Sequence, residues 1–197
     1  MPSQAAKKSP THSSPAILFA RNFLKYPAML GSAIPSSPFL VNHLLNQIDW
    51  ERARVLVEYG PGVGTITREM LKRMRHDATL VVIETNDEFV EYLGDNLHDP
   101  RLHVVHGSAV NVGRILAEQG VAPADYILSG IPYSLMPDSL RREILSESRK
   151  ALKSRGSMLV FQYTRTILPY LQSCFSSVRQ GFHIFNILPA RIFHCTP

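Results

Sequence analysis

The sequence predicts an α/β fold in which a mostly parallel sheet of seven strands carries helices on both faces, with an added amphipathic helix near the amino terminus. Two observations lead to this prediction. Short apolar runs alternate with segments of helical periodicity from residue 55 onwards, which is the pattern of successive strand–helix–strand units. Within residues 54–69, an apolar run, a glycine-rich turn and a helix start follow one another directly, as in sheets that bind a ligand at their carboxyl edge.

Composition limits the class of protein. The chain has 197 residues, 45% of them hydrophobic, which is enough for one globular domain with a substantial core. Its two cysteines, Cys174 and Cys195, exclude a disulfide scaffold and a four-cysteine zinc site. Few cysteines and no cleavable signal sequence together suggest a reducing, cytoplasmic compartment.

Charge and hydropathy are compatible with two kinds of partner, a membrane surface and nucleic acid. The longest apolar runs fall well short of the roughly 20 residues that a transmembrane helix requires, so any membrane contact is expected to be peripheral. The formal net charge of +5 suits an anionic membrane surface or weak nucleic-acid contact about equally.

The amino-terminal region begins with a polar stretch, residues 1–14, that is predicted to be disordered. Residues 15–26 follow with the periodicity of an amphipathic helix that stops before Pro27. Its polar arc carries Arg21 and Lys25. Two interpretations stay open: the apolar side packs on the neighbouring core, or it lies in a lipid interface with the basic residues at the headgroups.

A second helix is predicted to begin at Pro38, with Ser37 as its N-cap. The apolar residues that follow at helical spacing are Phe39, Leu40, Leu44, Leu45 and Ile48.

The rest of the chain reads as alternating strands and helices. The first strand contains residues 55–57, and a helix follows the glycine turn. Further strands are predicted at residues 80–83, 102–105, 126–128, 158–161, 183–188 and 191–194, with helices at 86–97, 110–118 and 138–152.

The glycine turn has the spacing G-x-G-x-G, from Gly60 through Gly62 to Gly64, and not the G-x-G-x-x-G of dinucleotide-binding proteins. Glycines let a ligand approach the backbone, and the following helix offers unpaired N–H groups. Glu58 at the strand end would repel a pyrophosphate, but it suits a ligand that carries an ammonium and a sulfonium. Glu84, at the end of the second strand, is placed to accept hydrogen bonds from both ribose hydroxyls.

The stretch E-x-G-P-G-x-G-T, together with Glu84, resembles the class I S-adenosylmethionine-dependent methyltransferases, which have a Rossmann-like fold. The resemblance implies S-adenosylmethionine as cofactor and S-adenosylhomocysteine as product. Ser108 stands where this class commonly has an acid that binds the adenine amine, so this contact is expected to be weaker. The cofactor-binding residues that the resemblance implies are Glu58, Gly60, Pro61, Gly62, Gly64, Thr65, Glu84, Ser108, Ala109, Ser129 and, from the preceding segment, Ser37.

The residues after the fourth strand bear on the methyl acceptor. Ribosomal RNA adenine dimethyltransferases have N-[LI]-P-[YF] there, which binds a flipped adenine. This chain keeps Ile131, Pro132 and Tyr133 but has Ser129-Gly130 where the Asn would stand, and we do not expect it to carry the helical RNA-binding domain of those enzymes.

A second resemblance is to the bacterial phospholipid N-methyltransferases, which convert phosphatidylethanolamine stepwise to phosphatidylcholine. The shared motifs in chain order are G-S-A-I-P-S-S at 31–37, E-Y-G-P-G-V-G-T at 58–65, S-G-I-P at 129–132, F-Q-Y-T at 161–164 and N-I-L-P-A-R-I at 186–192. The resemblance implies an enzyme associated peripherally with the cytoplasmic membrane. RNA adenine N6-methylation, methylation of small soluble amines and a non-catalytic cofactor-binding module stay open as alternatives.

Acceptor-side roles are then expected for three residues. Tyr133 and Tyr163 are predicted to meet the ammonium headgroup by cation–π contact, and Arg191 to hold the lipid phosphate. The alternatives are simple packing for the tyrosines and a surface salt bridge for the arginine. Tyr26 and Ser37 are expected to contact cofactor or headgroup.

Partners and organisation follow from these expectations. An anionic membrane surface and a phospholipid headgroup are the expected partners, nucleic acid is not, and a monomer is favoured. No metal is expected, because His103 and His106 point to opposite faces of one strand. The chain is divided into a tail at 1–14, a helical cap and membrane-docking segment at 15–50, and a methyltransferase domain at 51–197.

Overall fold

The computed structural model describes residues 38–183 and 190–197. The strands of this part are β1 Val55–Tyr59, β2 Thr79–Glu84, β3 Leu102–His106, β4 Ala124–Ser129, β5 Leu152–Gln162, β6 Ser177–His183 and β7 Ala190–Thr196. The α-helices are α1 Pro38–Leu45, α2 Thr65–Arg73, α3 Asp87–Asn96, α4 Val112–Glu118, α5 Asp138–Ala151 and α6 Leu168–Cys174. Short 3₁₀ helices cover Ala109–Asn111 and Tyr133–Leu135.

The seven strands form one sheet in the order β3-β2-β1-β4-β5-β7-β6. Strands β1 to β5 are parallel, whereas β7 pairs antiparallel with both β5 and β6. The strand order reverses between β1 and β4, where Tyr59 pairs with Ser129 at the carboxyl ends. Open α/β sheets bind ligands in the crevice at such a reversal.

Helices cover both faces of the sheet. On one face, which we call the α1–α3 side, Leu44, Met70 and Leu93 pack against Leu56 and other strand residues. Burial of each such side chain stabilises the fold by about 1.5–3 kcal/mol. On the opposite face, the α4–α6 side, the packed residues from helices and strands include Ile115, Leu145, Leu171, Val57 and Ile127. All five residues of β1 are buried, so the strand before the glycine turn is held rigidly from both sides.

The predicted fold class is therefore confirmed, and the differences concern single elements. Strand β5 begins at Leu152, earlier than predicted. Gly156 lies inside this strand, packed against β4, and does not mark the end of a loop. A Cβ at Gly156 would be 2.9 Å from the Ala124 carbonyl oxygen. Helix α6 was not predicted, although Pro169 stands in its first turn, where proline is well tolerated.

Of the two final strands, β7 agrees with the strand predicted at residues 191–194, whereas β6 lies elsewhere than predicted. Strand β6 occupies Ser177–His183 and not residues 183–188, of which 184–188 lie outside the described residues. Its sequence alternates polar and apolar residues weakly, which hid the strand.

The amino-terminal predictions fall on residues 1–37, outside the described residues. They comprise the tail, the amphipathic helix with Tyr26, and the N-cap Ser37; the division at residues 14 and 50 stays a prediction. Helix α1 agrees with the second predicted helix, with Leu40, Leu44 and Leu45 buried. In the described ranges, no helix is long and apolar enough to cross a bilayer.

Candidate active site

The glycine turn lies at the carboxyl end of β1. Gly60, Gly62 and Gly64 have φ angles of 67, 55 and 75 degrees, a left-handed conformation that residues with a side chain rarely adopt. A Cβ at Gly60 would come within 2.8 Å of Ile131 Cγ2, and one at Gly64 within 2.8 Å of Leu93 Cδ2. At Gly62 it would meet no atom within 4 Å. The outer two glycines thus allow close packing, and Gly62 presents backbone to open space.

Glu84 reaches from the end of β2 to this turn. Its Oε2 accepts from the Gly62 N–H at 3.2 Å, and its Oε1 accepts from the N–H groups of Thr85 and Asn86 at 2.8 and 3.0 Å. Burial raises the pKa of this carboxyl, and the backbone donors counteract that rise. A carboxylate has about four acceptor positions. The Thr85 side chain is a fourth donor to this carboxyl, so a ligand hydroxyl beside Gly62 would have to replace one of these donors or share an oxygen with it.

Glu58 is buried beneath the first turn of α2, where Thr67 Oγ1 donates to its Oε2 at 2.6 Å. The pKa of Glu58 is raised to about 7: burial is the main cause, the Thr67 hydrogen bond lowers the pKa, and the nearby charge of Glu84 contributes to the rise. Near neutral pH this carboxyl is therefore divided between its two protonation states. A cationic ligand beside it would favour the ionised one. Sequence reasoning missed Thr67, although its position in the first turn of the helix after the glycines was visible.

Ser108 lies after β3 and caps the 3₁₀ helix that follows. Its hydroxyl accepts from the Val110 N–H at 3.4 Å, and Ala109 beside it is buried. A serine here thus has a local structural partner, and its contact with adenine stays a prediction.

Ser129, the last residue of β4, and Tyr133, four residues later, are both buried and contact one another. Ser129 is fully buried, with its Oγ 3.0 Å from the Tyr133 hydroxyl. The Tyr133 ring is also fully buried, on the α4–α6 side, where burial raises the pKa of its hydroxyl. This corrects the expected position of Tyr133. The 3₁₀ helix turns the ring back into the core, so no face is exposed to an ammonium group.

Three contacts that sequence reasoning missed join the strand ends. Phe161, at the end of β5, covers Gly130 so closely that a Cβ there would lie 2.5 Å from its Cζ. Buried Gln162 donates from Nε2 to the carbonyl oxygens of Ile131 and Phe161 at 2.8 and 2.7 Å. Ile131 in turn packs on Gly60. The glycine turn, the loop after β4 and the end of β5 therefore form one packed unit.

Tyr163 and Arg191 are both half-buried near this unit. Tyr163 follows β5 and packs against the core of the α1–α3 side. Arg191 pairs in register with Gln162 across β5 and β7, so it shares the face of Gln162 and not that of Phe161. The structure therefore does not bring Tyr163 and Arg191 together on one face of the sheet.

A mostly parallel seven-stranded sheet with a glycine turn and two buried acids at its switch point defines this protein as a class I S-adenosylmethionine-dependent methyltransferase. The chain belongs to the ribosomal RNA adenine dimethylase family, whose model matches residues 25–164. The predicted enzyme class and its cofactor are thus confirmed. Among the described residues, no group of three or more His, Cys, Asp or Glu side chains is arranged to hold a metal ion.

Two kinds of curated relative are found. An ornithine lipid N-methyltransferase of Singulisphaera acidiphila is 29% identical over 184 residues, which cover 90% of this chain and 94% of the relative. A ribosomal RNA small subunit methyltransferase A of Mycoplasma capricolum is 27% identical over 105 residues. That match covers 51% of this chain and only 37% of the relative.

Solved structures show the same fold at low sequence identity. An O-methyltransferase from Bacillus cereus in complex with SAH has a TM-score of 0.71 at 13% identity, covering 91% of this chain and 90% of that one. A precorrin-6y C5,15-methyltransferase from Geobacter metallireducens has a TM-score of 0.63 at 14% identity, covering 80% and 87%.

The residues at the switch point fit S-adenosylmethionine. Gly62 offers backbone without a side chain in open space, and the Glu84 carboxylate beside it would accept from a ribose hydroxyl that replaces one of its present donors or shares an oxygen with it. The buried carboxyl of Glu58 would be stabilised in its ionised form by a positively charged ligand. We assign cofactor binding by these three residues as a proposal.

Proposed function

We propose that this enzyme methylates the amine of a membrane lipid headgroup, with phosphatidylethanolamine and its partly methylated products as acceptors, toward phosphatidylcholine. The observation that carries this proposal is the extent of the match to the ornithine lipid N-methyltransferase, which spans 94% of that relative. The match to the Mycoplasma ribosomal RNA enzyme spans 37% of its length. Phosphatidylethanolamine is named because of the motifs from residue 31 to residue 192; ornithine lipid shares the same chemistry, an amine on a lipid.

When bound, S-adenosylmethionine would supply a methyl group activated on sulfur. The neutral amine would form the new N–C bond as the S–C bond breaks, and the resulting ammonium would then lose a proton. The protein's part is to hold the amine in line and to exclude water. The packed unit of Gly60, Ile131, Gly130 and Phe161 supports this role, because it fixes the loop after β4 against the cofactor turn. Gly130 brings no hydrogen-bonding side chain to this place, which suits a small amine better than a base edge.

Tyr163 and Arg191 do not share a face of the sheet, and they are proposed for two different parts of the headgroup, the amine and the phosphate. For the Tyr163 ring the proposed role is a cation–π contact with the methylated ammonium, worth about 0.5–2 kcal/mol. Arg191 is proposed for the lipid phosphate, as a donor of charge-assisted hydrogen bonds. Tyr133 is not retained in this role, since its ring is fully buried.

Membrane docking is proposed for the segment at residues 15–50. Its amphipathic pattern places Phe19 and Phe23 on the apolar side and Arg21 and Lys25 on the polar one. Near an anionic surface, each basic residue contributes about 1 kcal/mol. Sedimentation with anionic vesicles tests this part: we expect a Phe19→Asp/Phe23→Asp variant to bind less, and equal binding would contradict it.

The second candidate function is N6-methylation of adenine in RNA, favoured by the name of the family model that matches residues 25–164. Parallel assays with a labelled methyl donor separate the two. We expect label in phosphatidylethanolamine vesicles and none in ribosomal RNA. Label in RNA alone would overturn the proposal.

A further inference from the structure

Arg141 of helix α5 is a buried cation whose hydrogen bonds lead to the loop after β4. Only 6% of the residue is exposed. Its Nε donates to the Tyr133 carbonyl oxygen at 3.0 Å and its Nη2 donates to the Met136 carbonyl oxygen at 2.7 Å. Its Nη1 lies 3.3 Å from Asp138 Oδ1, and its guanidinium lies over the Tyr170 ring, 4.6 Å from the centroid.

The two carbonyl groups that Arg141 binds lie at the two ends of one short 3₁₀ helix. Tyr133 and Met136 stand at the start and directly after the end of the 3₁₀ helix Tyr133–Leu135. One guanidinium thus binds a carbonyl at each end of this turn, with two of its five donors in a fixed planar fork. Arg141 therefore stabilises the conformation of this turn by joining its two ends.

A stable core does not by itself require such a charge. Replacing a buried ionic group by an apolar one of similar volume is often neutral or stabilising. The carboxylate that faces Arg141 belongs to Asp138, whose side chain is 67% exposed, so the ion pair is partly screened by solvent. Unlike an apolar side chain, the guanidinium can fix the conformation of the turn, because it binds the carbonyl groups at both ends.

The loop at residues 130–137, which we call the acceptor loop, is held differently at its two ends. Its first end is packed against Gly60 and bonded to Gln162, next to the cofactor turn. Its far end has the backbone hydrogen bonds of the 3₁₀ turn itself, and Arg141 is the side chain that binds the Tyr133 and Met136 carbonyls there. A change at Arg141 is therefore transmitted to the acceptor side, while the cofactor side keeps its own contacts.

We propose that Arg141 is a positioning residue that sets the conformation of the acceptor loop and thereby the binding of the lipid amine, without touching the cofactor. This inference rests on the proposed function, because that function assigns the loop to the acceptor. Lysine cannot replace arginine here, since a point charge does not bind two carbonyl groups while it lies flat on a ring.

The test compares Arg141→Lys with Arg142→Lys. Arg142 is exposed and stacks on the same Tyr170 ring at 4.9 Å, so it is a matched control for loss of that stacking. For Arg141→Lys we expect the KM for phosphatidylethanolamine in mixed micelles to rise about tenfold, as for loss of a charge-assisted hydrogen bond. The Kd for S-adenosylhomocysteine should change less than about twofold, and Arg142→Lys should change neither value.

Hydrogen exchange and a second variant test the role of Arg141 independently of the lipid assay. Hydrogen exchange should become faster for the amides of residues 133–136 in Arg141→Lys and stay unchanged for residues 60–65, whether or not lipid is the acceptor. Unchanged exchange in the loop, or an unchanged KM with an active wild type, overturns the proposal. If Arg141→Lys does not fold, Arg141→Met removes the charge at similar volume. Equal loss of cofactor and acceptor binding in that variant overturns it as well.

Discussion

The Phe161 ring lies on the backbone of Gly130, so that a Cβ at position 130 would stand 2.5 Å from Cζ and 2.9 Å from Cε1. Phe161 belongs to β5, and Gly130 directly follows the neighbouring parallel strand β4, at the carboxyl edge of the sheet where the cofactor turn also lies. The contact explains why the loop after β4 starts with a glycine, because any side chain at position 130 would clash with the Phe161 ring.

We expect Gly130→Ala to destabilise the protein by about 1–3 kcal/mol, because the ring must move to admit the methyl group. In a Phe161→Leu background the same substitution should cost clearly less, since the two changes are coupled. Urea unfolding of the four proteins measures this. Gly113→Ala in α4 is the control, because a Cβ there meets no atom within 4 Å. Equal costs in both backgrounds would contradict the packing relationship.

Gly62→Ala should weaken the binding of S-adenosylhomocysteine by at least about tenfold while the protein stays folded. The added methyl group points into the space where the ligand is expected, and the φ of 55 degrees becomes strained by about 1–2 kcal/mol. Gly120→Ala is a matched control, because Gly120 has a φ of 68 degrees and equally open surroundings. Calorimetry that finds the same Kd for Gly62→Ala and Gly120→Ala would remove Gly62 from the site.

The stability of the unliganded protein should depend on pH through Glu58. Its pKa of about 7 lies above the ordinary value of 4.5, so the folded state holds a proton that the unfolded state has already released in that window. Stability should therefore fall as pH rises from about 5 to above 7, by up to about 3 kcal/mol. Denaturant unfolding of wild type and Glu58→Gln measures this. A wild type and a variant with parallel pH profiles would contradict the assignment.

Cofactor binding should release protons from the same carboxyl. A cationic ligand near Glu58 lowers its pKa, so binding of S-adenosylmethionine below pH 7 should expel up to one proton. Calorimetry in two buffers of different ionisation enthalpy gives the number of protons released. We expect release by wild type near pH 6 and none by Glu58→Gln. Identical release by both proteins would show that another group titrates.

The alternation of strands and helices was enough to predict the fold class, because each unit buries a continuous apolar run in a short span of sequence. The glycine turn and its two acids were also predictable, since Glu58, the glycines and Glu84 act through backbone spacing close to their own strands. These features depend on local pattern, which the chain shows directly.

What could not be predicted depends on contacts between distant residues. The approach of Phe161 to Gly130, and of Arg141 to the carbonyls of Tyr133 and Met136, follow from how β4, β5 and α5 pack. The orientation of Tyr133 was missed for a related reason. A ring at the start of a one-turn helix can face either side, and the hydrogen bond between its hydroxyl and the buried Ser129 joins residues that local periodicity does not relate.

The most direct measurement is methyl transfer from a labelled donor into mixed vesicles of phosphatidylethanolamine and an anionic lipid, with ribosomal RNA present in the same reaction. Gly62→Ala serves as the cofactor-site control and Gly120→Ala as its matched partner. We predict label in the lipid fraction with wild type and Gly120→Ala, and strongly reduced label with Gly62→Ala. Label confined to the RNA fraction, or no label in any lipid amine, would contradict the proposed function.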